Sequence, residues 1–248
     1  MNIDFGGKIA LVTGASKGIG YDIALALAKG GAIKVYAVSR TLKDLEKLKD
    51  QNDKIEPVVC DLTDWDTTAK VIGDLGPVDL LVNNAGVSIL QPFLDITPEV
   101  YSQIFDLNVK SVIQVSQIVA HKMIDKGSGG VIVNVSSMAS TMSLKDHTCY
   151  CASKAALDSL TRSMAAELGS KNIRVNACNP TVTFTDMGRM AWGDPKRSAP
   201  VLSRIPIGRF AEVEDVTNVV LYLLSDKSAM LNGVTLPVDG GFTTVGFL

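Results

Sequence analysis

Runs of Val, Ile and Leu of strand length recur along the chain at 9–13, 33–38, 55–60, 80–83, 131–136, 174–178 and 235–238. These runs do not alternate apolar with polar positions, which is the pattern of parallel strands covered on both faces. Between them, helix-length amphipathic segments lie at 18–29, 42–51, 65–74, 99–124, 151–170 and 213–224. A strand–helix alternation sustained from end to end predicts an α/β fold, a doubly wound sheet with helices on both faces. No Pro/Gly/Ser-rich linker or internal repeat interrupts it, so residues 1–248 are expected to form a single domain. The least regular stretch, 180–210, holds four of the nine prolines and follows the sixth strand. Ligands of open α/β sheets sit outside the carboxyl ends of the strands, so this segment is expected to cover a substrate.

Hydrophobic residues make up 46% and charged residues 20%, and the net charge is −2 without a local basic run. That balance gives no attraction toward nucleic acid or an anionic membrane. The longest uncharged stretches, 80–94 and 127–144, are dotted with Asn, Gly, Ser and Gln and read as buried strands with loops, not membrane spans. Asp4 and Lys8 break the N-terminal stretch, and no targeting tripeptide closes the chain, so a cytoplasmic location is expected. Cys60, Cys149, Cys151 and Cys178, with two histidines, give no zinc spacing and no C-x-x-C; no metal is expected.

The first strand runs into Thr13-Gly14-Ala15-Ser16-Lys17-Gly18-Ile19-Gly20 and then a helix. Gly14 permits a sharp turn, Gly18 lets backbone approach a pyrophosphate, and Gly20 allows close helix packing. The same residues satisfy G-x-S-x-G, a hydrolase nucleophile elbow. However, thirteen residues leave no room for an upstream oxyanion loop, and neither His121 nor His147 is convincingly placed as its late histidine. Where an NAD enzyme carries an acid after the second strand, this chain has Ser39-Arg40-Thr41. Arg40 can fork onto a ribose 2′-phosphate, with Lys17 adding charge; a solvated surface arginine is the alternative. Asp61 and Asn83-Asn84-Ala85-Gly86 fall at strand ends, where they could bond adenine and order the loops, although Asn83 could equally be structural. Asn108 lies inside a predicted helix, a poor place for an amide, so it marks either a kink with a water-linked proton path or a packing amide.

Tyr150 and Lys154 stand four apart, on one face of a helix, after Ser137. A nearby ammonium favours the phenolate, so Lys154, together with a nearby cofactor cation, is expected to lower the Tyr150 pKa and make it a general acid, with Ser137 bonding the same substrate oxygen.

Together these residues identify the chain as resembling the short-chain dehydrogenase/reductase family over essentially its whole length. Thr13-Gly14-x-x-x-Gly18-x-Gly20, Asn83 to Gly86, Asn108, Ser137 and Tyr150-x-x-x-Lys154 occur in the family's order. Runs at 76–85, 91–94, 115–120, 179–188 and 210–216 carry the likeness further. The resemblance implies a seven-stranded Rossmann-type sheet and a tetrad of Asn108, Ser137, Tyr150 and Lys154. It also implies NADP(H) as cofactor, reduction of a small ketose or α-dicarbonyl, and a homotetramer. Implied cofactor contacts are Gly14, Ser16, Lys17, Gly18, Ile19 and Gly20 in the first turn, and Ser39, Arg40, Thr41, Asp61 and Leu62 beyond it. Asn84, Ala85, Gly86, Tyr150, Lys154, Pro180, Val182, Thr185 and Met187 complete them, with Thr185 at the nicotinamide amide. One departure is Asn179-Pro180-Thr181 in place of the common Asn-Pro-Gly, which is expected to alter the pocket wall.

The substrate pocket is expected to be completed by Leu144, His147 and Trp192, beside Ser137 and Tyr150. His147 could bond a substrate hydroxyl or serve as a loop histidine; Trp192 could close over the substrate or anchor its own segment. Apolar positions on 99–124, among them Ile104, Phe105, Val109, Val112, Ile113, Val119 and Met123, spread wider than one core stripe, which suits an intersubunit face or deep burial. Two function classes follow. One is a carbonyl reductase, of this or another small ketone; the other is a dinucleotide-binding protein without turnover. Ser137, Tyr150 and Lys154 together favour the enzyme.

Overall fold

The computed structural model describes residues 3–244, the side chains of Asp186, Met187 and Ala191 excepted. Seven strands, β1 (Ile9–Thr13), β2 (Lys34–Ser39), β3 (Ile55–Val59), β4 (Leu80–Asn83), β5 (Gly130–Val135), β6 (Ile173–Pro180) and β7 (Thr235–Val238), form one sheet. Their order is β3-β2-β1-β4-β5-β6-β7 and all six pairings are parallel. The helices are α1 (Gly18–Lys29), α2 (Leu42–Lys49), α3 (Trp65–Gly73), α4 (Pro98–Phe105), α5 (Ser111–Lys126), α6 (Thr148–Leu168), α7 (Asp186–Trp192), α8 (Pro195–Leu202) and α9 (Val213–Leu224).

Successive residues of each central strand feed two different cores. Ala10, Val12, Leu80, Val82 and Val133 pack with Ile23 and Leu27 of α1, Leu45 of α2 and Val220 of α9. Leu11, Leu81 and Ile132 point the other way, against Ile72 of α3 and Val115, Val119 and Met123 of α5. Both faces are covered, so the central strands read as mainly apolar runs, with buried polar residues such as Asn83 and Asn134 bonded to each other. The strand order reverses between β1 and β4, and the loops leaving these strands border the crevice where such sheets bind ligands.

Two expectations are corrected. The single helix expected over 99–124 is broken into α4 and α5 by a π-helical turn at Asp106–Lys110. The extra residue of that turn carries Asn108 inward, 1% exposed, where its amide bonds other elements. The stretch 180–210 is also more regular than its prolines suggest, since it contains α7 and α8. Thr185 caps α7 by accepting from the Gly188 N–H at 3.0 Å. Asp194 caps α8, and Pro195 sits in its first turn, where a missing N–H costs nothing. A small cluster of Met138, Ile205, Phe210 and Phe242 buries the base of this segment.

Candidate active site

The turn after β1 and the loop after β4 are built as one unit. The Thr13 hydroxyl accepts from the N–H groups of Asn84 and Ala85 at 3.0 and 3.1 Å. The Asn84 amide donates to the carbonyls of Thr13 and Gly14 at 3.0 and 3.2 Å. Gly14 has φ +65°, and a Cβ there would stand 2.9 Å from the Ala85 Cα, so only glycine fits. The side chain of Asn84 is thereby committed to bracing the turn.

Helix α1 opens on this turn with Lys17 at its N-cap, no side-chain cap and no acid in its first turn. Helices α3 and α4, by contrast, are capped by Asp64 and Thr97. The uncapped N–H groups and the helix dipole make the start of α1 a cradle for an anion. Ser16 and Ile19 are half-buried in the same turn, Gly20 is buried and Lys17 is exposed. At the end of β2, Ser39 is half-buried while Arg40 and Thr41 are exposed. Arg40 lies 4.0 Å from the Asp61 carboxylate, whose other oxygen takes the Thr63 N–H and hydroxyl. The Arg40 side chain is 71% exposed, leaving its guanidinium able to meet a phosphate. Leu62 is buried in the core beneath.

The chemistry-bearing half is assembled by α6, which begins at Thr148 and so includes Tyr150 in its first turn. The Lys154 ammonium lies 5.7 Å from the Tyr150 ring centre and donates to the Val135 carbonyl at the end of β5, at 2.9 Å. A Cβ on Gly86 would stand 3.3 Å from the Asn108 Oδ1 and 3.6 Å from the Lys154 Nζ, so these three residues converge. Asn108 accepts from the Val87 N–H at 2.8 Å and donates to the Val87 carbonyl at 2.9 Å and the Ser153 hydroxyl at 3.0 Å. The Ser153 hydroxyl in turn donates to the Tyr150 carbonyl at 2.7 Å. Through this chain Asn108 ties the loop after β4 to the first turn of α6. Ser137 follows β5 and accepts from the Ala139 N–H at 3.1 Å.

The protein's own groups, without the cofactor cation that the expectation includes, hold the Tyr150 pKa above its ordinary value. Burial pushes the phenol up, and its bond to Ser137 draws it only part of the way back. Burial likewise lowers Lys154 from its ordinary value to about 8. Desolvation is the largest influence on Tyr150, and the Ser137 bond opposes it without reversing it. The phenol therefore keeps its proton at neutral pH, the form a proton donor needs.

Other candidates have local roles. Asn83 donates to Ser116 and Asn134 at 2.9 and 2.8 Å and is a brace within the fold. Pro180 closes β6, and the half-buried Val182 accepts from the Ala211 N–H at 3.1 Å. The Thr185 methyl lies over the glycine turn, 3.0 Å from where a Gly18 Cβ would stand. The side chain of Met187 lies outside the described residues. Thr181 is 7% exposed and its hydroxyl has no partner among the described residues.

On the substrate side, the His147 ring stands edge-on to Tyr150 at 6.2 Å. Its Nδ1 lies 2.6 Å from the Lys145 carbonyl, which places the proton there and leaves Nε2 an acceptor. Leu144 and Trp192 pack against the Met138–Phe210 cluster, with the Trp192 ring 6.2 Å from that of Phe210. Trp192 thus anchors its own helix. A cleft of about 410 Å³ between Thr181, Phe210 and Gly240 borders neither Tyr150 nor Lys154. Among the described residues no three His, Cys, Asp or Glu side chains cluster as metal ligands do, and no helix is long and apolar enough to cross a membrane. Sequence reasoning missed Val135, Ser153, Asp158 and Asn179 as parts of the site; only Asp158 left a signal, eight positions after Tyr150 on one helix face.

A glycine turn feeding an uncapped helix, joined across the switch point to a buried Lys154 and half-buried Tyr150 and Ser137, defines the class: the chain belongs to the short-chain dehydrogenase/reductase family. The family model described as enoyl-(acyl carrier protein) reductase matches residues 14–243. The chain is 56% identical to D-erythrulose reductase of Gallus gallus over 241 residues, 97% of this chain and 98% of the relative. It is 55% identical to L-xylulose reductase of Bos taurus over 242 residues, covering 98% and 99%. Among solved structures, gluconate 5-dehydrogenase from Burkholderia cenocepacia in complex with NADP and tartrate superposes with a TM-score of 0.92 at 29% identity, covering 99% of this chain and 98% of the other. The protein is an oxidoreductase of CH–OH groups that binds a nicotinamide dinucleotide.

Proposed function

We propose that the protein is an NADPH-dependent carbonyl reductase of small ketones, converting L-xylulose to xylitol and reducing α-dicarbonyls such as diacetyl. The observation that carries this reading is the buried Lys154 ammonium beside a protonated Tyr150, at the crevice below the glycine turn. The residues present fit the dinucleotide: the start of α1 lacks any anion of its own, and Lys154 is short of acceptors that ribose hydroxyls would supply. The first turn from Gly14 to Gly20, Ser39 to Thr41, Asp61, Leu62 and Asn84 to Gly86 would hold its adenosine and phosphates. Pro180, Val182, Thr185 and Met187 would hold the nicotinamide end. When bound, the cofactor supplies the hydride that the carbonyl carbon receives.

The protein's own part is acid catalysis and charge control. Tyr150 gives its Oη proton to the carbonyl oxygen, and Ser137 Oγ donates a hydrogen bond to the same oxygen as it gains charge. Lys154, positive below about pH 8, stabilises the phenolate that Tyr150 becomes. Asn108 holds the loop and helix that position both. His147 Nε2, free to accept, suits a hydroxyl-bearing substrate. Arg40 and Lys17 favour NADPH over NADH through the 2′-phosphate.

Two properties of the whole protein belong to the same reading. Phe93, Leu94 and Tyr101, exposed by 70%, 91% and 50%, support a homotetramer that covers them. Four unpaired thiols suit the reducing cytoplasm. Incubating the protein with NADPH and L-xylulose, D-erythrulose or diacetyl, with chromatography of the products, tests the assignment. Xylitol from L-xylulose is expected; no alcohol from any of the three contradicts it.

A further inference from the structure

We propose that Asp158 is a positioning residue of this reaction, tied through Asn179 to the backbone that carries Ser137 and placing a negative charge beneath Lys154. Tyr150, Lys154 and Asp158 are spaced four and four along α6, so they share one face of the helix. Lys154 and Asp158 are each 5% exposed, and Asn179, at the end of β6, is 3% exposed. The Asn179 amide nitrogen lies 2.8 Å from the Asp158 Oδ2, 2.9 Å from the Ser140 hydroxyl and 3.2 Å from the Ser137 carbonyl. One side-chain amide thus clips α6 to the 3₁₀ turn Met138–Ser140, whose N-cap is Ser137. Motion of Ser137 relative to Tyr150 would have to break this clip.

The second part of the argument is charge. The other carboxylate oxygen of Asp158 is buried and has no partner among the described residues. Asp158 forms no contact ion pair with Lys154, so its influence on that ammonium is through the field, in an interior where fields are poorly screened. The other titratable groups facing Lys154 are Tyr150 on its own helix and Cys178 on β6. Burial pushes the Cys178 thiol up to about 12 and raises Tyr150 as well, so both are neutral over the working range. Asn108, Val135 and Ser136 carry no charge. Asp158 is therefore the anion on which the protonation of Lys154 depends, while Asn179 and Ser140 are the groups that face Asp158 itself.

The test is the pH profile of diacetyl reduction with NADPH between about pH 5.5 and 9.5, with thermal midpoints measured alongside. Asp158→Asn keeps an oxygen for Asn179 and removes the charge. Its alkaline limb is expected to move down by roughly one to two pH units. Asn179→Ala cuts the clip and keeps the charge, so kcat should fall across the whole range with the limb in place. If Asp158→Asn does not fold, Asp158→Ser, neutral and smaller, carries the same expectation. A limb that stays put in the neutral variant, or a uniform loss that follows the thermal midpoint, overturns the proposal and leaves Asp158 a structural residue. The proposal rests on the proton-donor reading of Tyr150 and Lys154. Absence of turnover in the unmodified protein overturns both; normal turnover with an unmoved limb overturns this one alone.

Discussion

Lys154 is the residue at which stability and activity pull apart. Unfolded, it holds its proton up to its ordinary value of 10.5; folded, only to about 8. Between these values the unfolded chain binds more protons, so stability rises with pH across that window, and the deficit is fully present below about pH 8. Lys154→Met keeps most of the packing and removes the buried charge. Calorimetry should show a higher thermal midpoint at pH 6, by about 2–4 °C per kcal/mol recovered, and a smaller gain near pH 10, while reductase activity is lost. An unchanged or lower midpoint at pH 6 would show that the charge is better satisfied than Val135, its one acceptor among the described residues, implies. Arg40, by contrast, is exposed and acts on the ligand. Arg40→Asp should turn an NADPH preference of about ten- to a hundredfold toward NADH, measured as kcat/KM with each cofactor. Equal use of both cofactors by the unmodified protein would reduce Arg40 to a surface residue. The spacing of Ser137, Tyr150 and Lys154 was readable in the chain, but the upward push that the protein's own groups exert on Tyr150 was not. It depends on how deeply α6 and the loop after β5 bury the phenol, a tertiary quantity no spacing encodes.

At the scale of elements, strand-length apolar runs located every strand, because the central ones are buried on both faces and are mainly apolar. Periodicity failed at 99–124, where α4 and α5 each keep a helical period and only the π turn between them shifts the phase. The clue was Asn108 itself, an amide where helices seldom place one. The junction of β6, α9 and β7 was wholly silent in the sequence. There Arg174 sends its guanidinium to the carbonyls of Leu223, Ser225 and Leu231 and to the Ser228 hydroxyl, at 3.0–3.2 Å. These acceptors include the last carbonyls of α9, where a cation also meets the negative end of the helix dipole. Arg174→Leu removes these charge-assisted bonds, while the Leu223 and Ser225 carbonyls keep the Ser228 hydroxyl and the Leu231 carbonyl keeps the Asn176 amide, so the loss should be about 1.5–3 kcal/mol in all. Denaturant unfolding should show that loss, with KM for the ketone unchanged; a large change in KM at intact stability would contradict a purely structural role.

For the whole molecule, the two-faced sheet explains why the site lies where it does. The loops after β1, β4, β5 and β6 all emerge at one edge of the sheet, and the reversal of strand order between β1 and β4 opens a crevice there. Apolar surface at Phe93, Leu94 and Tyr101 is more than a lone chain needs to show water. Light scattering of the purified protein is expected to give the mass of four chains, and Leu94→Glu to shift it toward smaller species; a monomer at micromolar concentration would contradict the tetramer. The most direct test of the account is NADPH oxidation by L-xylulose in the unmodified protein and in Tyr150→Phe, with NADPH binding measured on both. The variant keeps the ring and loses the acid, so turnover should fall roughly a hundred- to ten-thousandfold while NADPH binds almost as before. Near-normal turnover without the Tyr150 hydroxyl would contradict the mechanism at its centre.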